Sequence, residues 1–320
     1  MELIIRRLLI IRLVVAAFLI LTAGGCNSTR SHLQTVQTAA GRGNARAQYE
    51  LAQCYARGNG VPQDYAKAAE CLRQSAGQGY AYAETDLGSY YARGLGVKQD
   101  FSEALQWYHK AAAQGDLLAQ YCLGYAHAHG NGVPVDFDEA IKWWQKSAGQ
   151  GQVDAQNALG QFYFHGGASN DINRVNYAES ARWLRLAAEQ GCVGAMNNLA
   201  FLYQYGWGVK KDLPRALKWC RLAAQKGEAM AQANLGLMYQ DGTGVDHDMV
   251  QAYKWFTLSA EQGNVVGRHS FDDYNAHHRL TPEQFAEAER MVAEFHTQTH
   301  TNPPGQVSHF QPPAKQPDSK

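Results

Sequence analysis

A period of 36 residues runs through most of this chain and constrains its fold more than any other feature. Ala45, Ala81, Leu117 and Val153 stand 36 residues apart, and after one step of 40 the register resumes at Val193, Ala229 and Val265. Fixed positions follow each start: Leu51, Leu87, Leu123, Leu159, Leu199 and Leu235, each followed by glycine or alanine, then Tyr55, Tyr91, His127, Tyr163, Tyr203 and Tyr239. Gly58, Gly94, Gly130, Gly166, Gly206 and Gly242 come next, most with a second glycine two residues on. Trp107, Trp143, Trp183, Trp219 and Trp255 mark the later half, and each copy closes on a pair such as Gln78-Gly79 or Gln114-Gly115.

Each period reads as two helices. The first, over Ala45 to Arg57 in copy one, ends at Gly58, because glycine takes the left-handed conformation that a helix C-terminus often needs. Asp64, Asp100, Asp136, Asp212 and Asp248 precede the second helices, where a carboxylate caps free N–H groups and opposes the positive dipole end. One hairpin cannot bury both its faces, so neighbours must stack, and six copies over 45–264 imply an all-α solenoid. The 31 glycines against 9 prolines are then accounted for as hairpin punctuation. The fourth copy departs from the pattern: Gly166-Gly167-Ala168-Ser169-Asn170 belongs to a turn four residues longer, and Asn176 replaces the capping Asp.

The pattern Ala-x-x-x-Leu-Gly-x-x-Tyr-x-x-Gly-x-Gly-Val, followed by Asp, Ala, Trp, Ala-Ala and Gln-Gly, resembles the Sel-one-like repeat, a relative of the tetratricopeptide repeat. The resemblance implies a right-handed superhelix of paired helices that serves as a protein-binding scaffold. Exported members of the family resemble immunity proteins, and some members are linked to β-lactam binding or hydrolysis.

The flanks read differently. Arg6, Arg7 and Arg12 precede an uncharged stretch, Leu13 to Leu21, and the small residues Thr22 to Gly25 lead to Cys26, so residues 1–25 form an export signal. The apolar stretch is shorter than the roughly 20 residues of a spanning helix, which makes a permanent transmembrane anchor the weaker alternative. Small residues before a cysteine resemble a bacterial lipobox, which implies that Cys26 is acylated and becomes the N-terminus, with Asn27 associated with the outer membrane. Residues 26–44 are expected to be a linker, 265–296 a degenerate repeat and capping helix opening at Thr281-Pro282, and 297–320 a disordered proline-rich tail.

At about 100° per residue, Ala47, Leu51, Ala52 and Tyr55 share a packing arc, while Arg46, Tyr49, Gln53, Ala56 and Arg57 share the opposite, open one. In related helical repeats this open face lines the concave side. Through the array the candidate partner-binding residues there are Tyr82, Tyr121, Tyr125, His129, Phe164, His165, Phe201 and Tyr205, beside Arg93 and, in the last copy, Gln240 and Asp241. Aromatic side chains concentrate at interface centres because they bury large area and lose few rotamers. The alternative is that some of these rings pack against neighbouring helices.

Chemistry is sparse. No serine elbow, phosphate loop, dinucleotide fingerprint or His-Glu-x-x-His helix occurs. Ser147, with Ser75 and Ser259 at equivalent positions, reads as a packing serine, and His127, His129 and His165 fall on different faces or copies rather than in one metal site. His277-His278 diverge on a helix. Besides Cys26 there are Cys54, Cys71, Cys122, Cys192 and Cys220, an odd number. Cys54 and Cys71 either pair in an oxidising compartment or are small core residues. With 29 basic and 29 acidic side chains, no global field attracts nucleic acid. The expectation is a non-enzymatic, lipid-anchored scaffold facing the periplasm from the outer membrane, without cofactor or metal. Its role would be that of an envelope adaptor or of an immunity protein against a periplasm-acting toxin. A cell-wall enzyme of β-lactamase type and a glycan-binding module are the alternatives.

Overall fold

The structure is a computed structural model that describes residues 32–167, 171–276 and 280–301. Cys26 and the export segment, residues 168–170, His277-His278 and the proline-rich tail from 302 lie outside the described residues. All regular structure described is helical: α1 (32–41), α2 (Ala45–Arg57), α3 (Tyr65–Ala76), α4 (Ala81–Arg93), α5 (Phe101–Ala113), α6 (Leu117–His129), α7 (Phe137–Ala148), α8 (Val153–His165), α9 (Tyr177–Glu189), α10 (Val193–Tyr205), α11 (Leu213–Gln225), α12 (Ala229–Asp241), α13 (Met249–Glu261), α14 (Val265–Ala276) and α15 (Pro282–Thr301). This is the expected all-α solenoid class. None of the described helices is long and apolar enough to cross a membrane. The residues fall into two compact units, one running to Ala126 and including 130–134, the other holding 127–129 and the chain from Val135.

The caps are those expected. Asp64, Asp136 and Asp212 each accept a hydrogen bond from the third helical N–H of α3, α7 and α11, and Asp100 and Asp248 accept two each. Asn176 does the same for α9 through Glu179 N. In the long fourth turn, a short 3-10 helix over Ile172–Arg174 occupies the extra length, and Arg174 reaches the Asp138 carboxylate at 2.7 Å.

Glycine has two jobs, and only one is punctuation. Gly208 has φ 66°, and a Cβ there would lie 2.1 Å from the Tyr177 carbonyl carbon, so the turn is both left-handed and pressed onto the preceding second helix. Gly88, Gly160 and Gly236 instead sit within helices, where a Cβ would come 2.6 to 2.7 Å from Tyr108, Leu184 and Phe256. These three let the first and second helix of a repeat approach closely, and the turn-only account of the glycines is corrected accordingly.

A polar ladder runs beside the apolar core. The closing glutamine of a repeat donates to the opening one, Gln78 to Gln48, Gln190 to Gln156 and Gln262 to Gln232, and Gln114 to Glu84, all at 2.7 to 2.8 Å. The buried Gln48, Gln156 and Gln232 also donate to carbonyls of the preceding helix, Ala40, Ala148 and Ala224. Each amide is thus satisfied where an unpaired one would cost about 1–3 kcal/mol. In the fifth repeat Met196 and Lys226 take the two positions.

Both ends are closed. Residues 32–41, expected as linker, form a helix whose Leu33, Val36 and Ala40 are buried, and Ala40 accepts from Gln48 as preceding second helices do. At the other end Thr281 and Gln284 cap each other's backbone N–H at 3.3 and 3.0 Å and open α15, which runs five residues past the expected His296. Its Ala288 and Val292 are buried, Phe285 meets Tyr253 at 5.4 Å between ring centres, and Phe295 meets Trp255 at 5.6 Å.

Candidate functional site

In the second compact unit, α8 and α10 end side by side with their last turns rich in aromatics. Phe164 and Phe201, one repeat apart, meet edge to face at 5.7 Å, Phe201 stacks on Tyr205 at 4.4 Å, and His165 lies against Phe164 at 4.7 Å. Two residues that the sequence reading missed complete the cluster. Tyr177, first residue of α9, meets Phe164 at 5.7 Å, and Trp207 contacts Tyr177, Phe201 and Tyr205 at 4.8, 5.2 and 5.7 Å. Trp207 stands between the two turn glycines, where other copies place Asn59, Leu95, Asn131 and Thr243. The signal is present in the sequence as the single tryptophan at that turn position, which helix-face periodicity does not sample.

Exposure separates the members. Phe164, Tyr177 and Phe201 are half-buried and form a floor, whereas Tyr205 and Trp207 keep 52% and 39% of their surface exposed. Large apolar side chains left open beside a preformed aromatic floor mark an interaction surface more strongly than isolated exposed rings do.

The first unit holds a smaller aromatic group. Tyr82, 59% exposed, lies 5.6 Å from Tyr80 and 6.4 Å from Tyr49. Beside it the Asp86 carboxylate accepts from Gln53 Nε2 at 2.7 Å and from the Tyr49 hydroxyl. Burial pushes the Asp86 carboxyl up to about 6 although both hydrogen bonds favour its ionised form. Tyr121 departs from expectation: at 8% exposure it is a packing residue, with its ring centre 6.5 Å from that of the half-buried Tyr125. Burial raises the Tyr125 hydroxyl. His129 is half-buried at the end of α6.

Elsewhere the polar groups are structural. Ser147 is fully buried, and its equivalents Ser75 and Ser259 each donate at 2.7 Å to a first-helix carbonyl, Ala45 and Ala229. Cys54, Cys71, Cys122, Cys192 and Cys220 are free thiols, and burial pushes Cys220 up to about 12, which makes it unreactive. Among the described residues no three His, Cys, Asp or Glu side chains are grouped to hold a metal.

The profile of the Sel1 repeat matches residues 45–80, 81–116, 117–152, 153–192, 193–228 and 229–264. The chain belongs to the Sel1 repeat family. Such repeats are scaffolds for protein interaction, generally without enzymatic activity. A Sel1 repeat protein from Oxalobacter formigenes of known crystal structure is 27% identical, with a TM-score of 0.63 over 73% of this chain and 92% of its own. A protective antigen present in uropathogenic Escherichia coli strains, of the same fold, is 27% identical with a TM-score of 0.52, over 90% of this chain and 68% of its own. An immunity protein from Pseudomonas aeruginosa, 18% identical over 70% of this chain and 83% of its own, superposes at a TM-score of only 0.43, too distant to carry a functional argument. A comparison with curated proteins gives no match.

Proposed function

We propose that this Sel1 repeat protein is a lipid-anchored periplasmic scaffold that grips one protein partner through the aromatic cluster of its fourth and fifth repeats. The observation that carries this reading is the pair Tyr205 and Trp207, held open on a floor of Phe164, Tyr177 and Phe201. Rings so braced lose little entropy on binding, so contact area converts efficiently into affinity. Cys26 supplies the anchor in this reading, since acyl chains contribute about 0.8 kcal/mol for each buried methylene. The role is that of an adaptor in an envelope complex or of an immunity protein that neutralises a toxin, and stoichiometric inhibition separates the two.

The rings of the cluster are inclined to one another by 35° to 78°, so together they offer no single flat platform for a sugar, which favours protein over glycan. Ser147, fully buried, gives a hydrolase no accessible nucleophile at that position.

The test is a pull-down from periplasmic extract with the wild-type chain and with a Tyr205→Ser, Trp207→Ser variant of unchanged circular dichroism. The proposal expects one protein at near-equal stoichiometry with the wild type and its loss with the variant. Equal retention by both, or by neither, contradicts it.

A further inference from the structure

Charge is distributed evenly through the repeats except in one place. Between Lys210 and Lys226 stand Lys210, Lys211, Arg215, Lys218, Arg221 and Lys226 against the single acid Asp212. No equivalent stretch of the other repeats is so basic: residues 62–78 and 98–114 carry two of each sign, and 246–262 is acidic. In those repeats some cations pair with an acid one turn away, as in Lys67 with Asp64, Arg73 with Glu70, Lys142 with Glu139 and Arg182 with Glu179. In the fifth, Arg215 pairs with Asp212 at 3.2 Å, while no described carboxylate pairs with Lys210, Lys211, Lys218 or Lys226.

These four lysines and Arg215 are exposed. The helix α11 turns Ala216, Cys220, Ala223 and Ala224 into the core and leaves Arg215 and Lys218 on the opposite face with the half-buried Leu222 and, at its end, Lys226. That outward face is about 20 Å long. The Lys218 ammonium lies 5.7 Å from the centre of the half-buried Trp219 ring. Lysine and tryptophan with an apolar residue between them are the side chains that settle at a membrane–water interface, the amine reaching the headgroups and the indole the boundary.

We propose that the outward face of α11, with Lys210 and Lys211 before it, docks on an anionic phospholipid surface. A basic patch is a common second membrane signal beside acyl chains. The proposal extends the membrane location put forward above, but its test does not depend on the lipid. An exposed helix face suits a surface better than a peptide, and neutral overall charge gives a polynucleotide no broader field to follow.

The chain from Asn27 to Lys320, which keeps every described residue and carries no lipid, is sedimented with vesicles of phosphatidylglycerol and phosphatidylcholine, and with phosphatidylcholine alone. The expected result is binding at least about tenfold stronger to the anionic vesicles, lost when salt rises from about 0.05 to 0.5 M. A Lys210→Gln, Lys211→Gln, Lys218→Gln, Lys226→Gln variant loses at least about tenfold of that binding, while arginine at the same positions retains it. Lys67→Gln with Lys142→Gln leaves it unchanged. No binding by the wild type, or equal binding by the glutamine variant, overturns the proposal. Binding to polyglutamate without binding to vesicles overturns it in favour of an acidic protein. Palmitate labelling of Cys26 is measured separately, so either membrane contact can fail alone.

Discussion

Glycines 208 and 236 show how a single hydrogen atom is selected for different reasons. At Gly236 a methyl group would meet the fully buried Phe256 ring at 2.6 Å, so alanine, though the better helix former by about 1 kcal/mol, forces the ring to move. Gly236→Ala is expected to lower stability by about 1–3 kcal/mol in urea unfolding. Gly208→Ala meets backbone at 2.1 Å and a φ of 66°, and should cost more. Asp86 makes a second test at this scale. Its folded value of about 6 lies above the usual carboxylate value near 3.9, so between those pH values the folded state binds more protons than the unfolded. Stability from this group is present below about pH 4 and falls as pH rises to 6, the penalty being complete above it. Asp86→Asn should therefore raise the urea midpoint relative to wild type more at pH 7 than at pH 4.5. An equal difference at both pH values would remove burial of the charge as the cause.

At the scale of elements, the repeat helices and their caps were legible from spacing, since Asp64, Asp100, Asp136, Asn176, Asp212 and Asp248 all cap as their positions predict. Helix α1 escapes the period because only the second half of a repeat is present there, with Thr35 at the place of Cys71 and Trp107. Its signal was Ala39, Ala40 and Gly43, which stand 36 residues before Ser75, Ala76 and Gly79. The aromatic cluster was legible in part. Phe164, His165, Phe201 and Tyr205 come from helix faces, which periodicity predicts, while Tyr177 and Trp207 enter from a helix start and a turn, which it does not. Tyr121 failed because the face rule marks direction along one helix and not the depth that neighbours impose. Removing residues 27–44 should expose Ala47 and Gln48, lower the urea midpoint and speed amide exchange first in α2; unchanged exchange there would mean α1 is no cap.

For the whole molecule, Sel1 repeat membership fixes the scaffold, and individuality lies in what one repeat adds to it. The fifth repeat carries both Tyr205 and Trp207 and the basic stretch from Lys210 to Lys226. Cys26 is the proposed lipid anchor, so Cys26→Ser should abolish palmitate incorporation and move the protein to the soluble periplasmic fraction. Labelling that survives Cys26→Ser would rule this anchor out. The most direct measurement of the central claim is photo-cross-linking in living cells with benzoylphenylalanine placed at position 205, at 207 and, as a control, at the exposed outer position 142. The account predicts one discrete adduct with the same protein from 205 and 207 and none from 142. No adduct from 205 and 207, or the same products from all three positions, would contradict it.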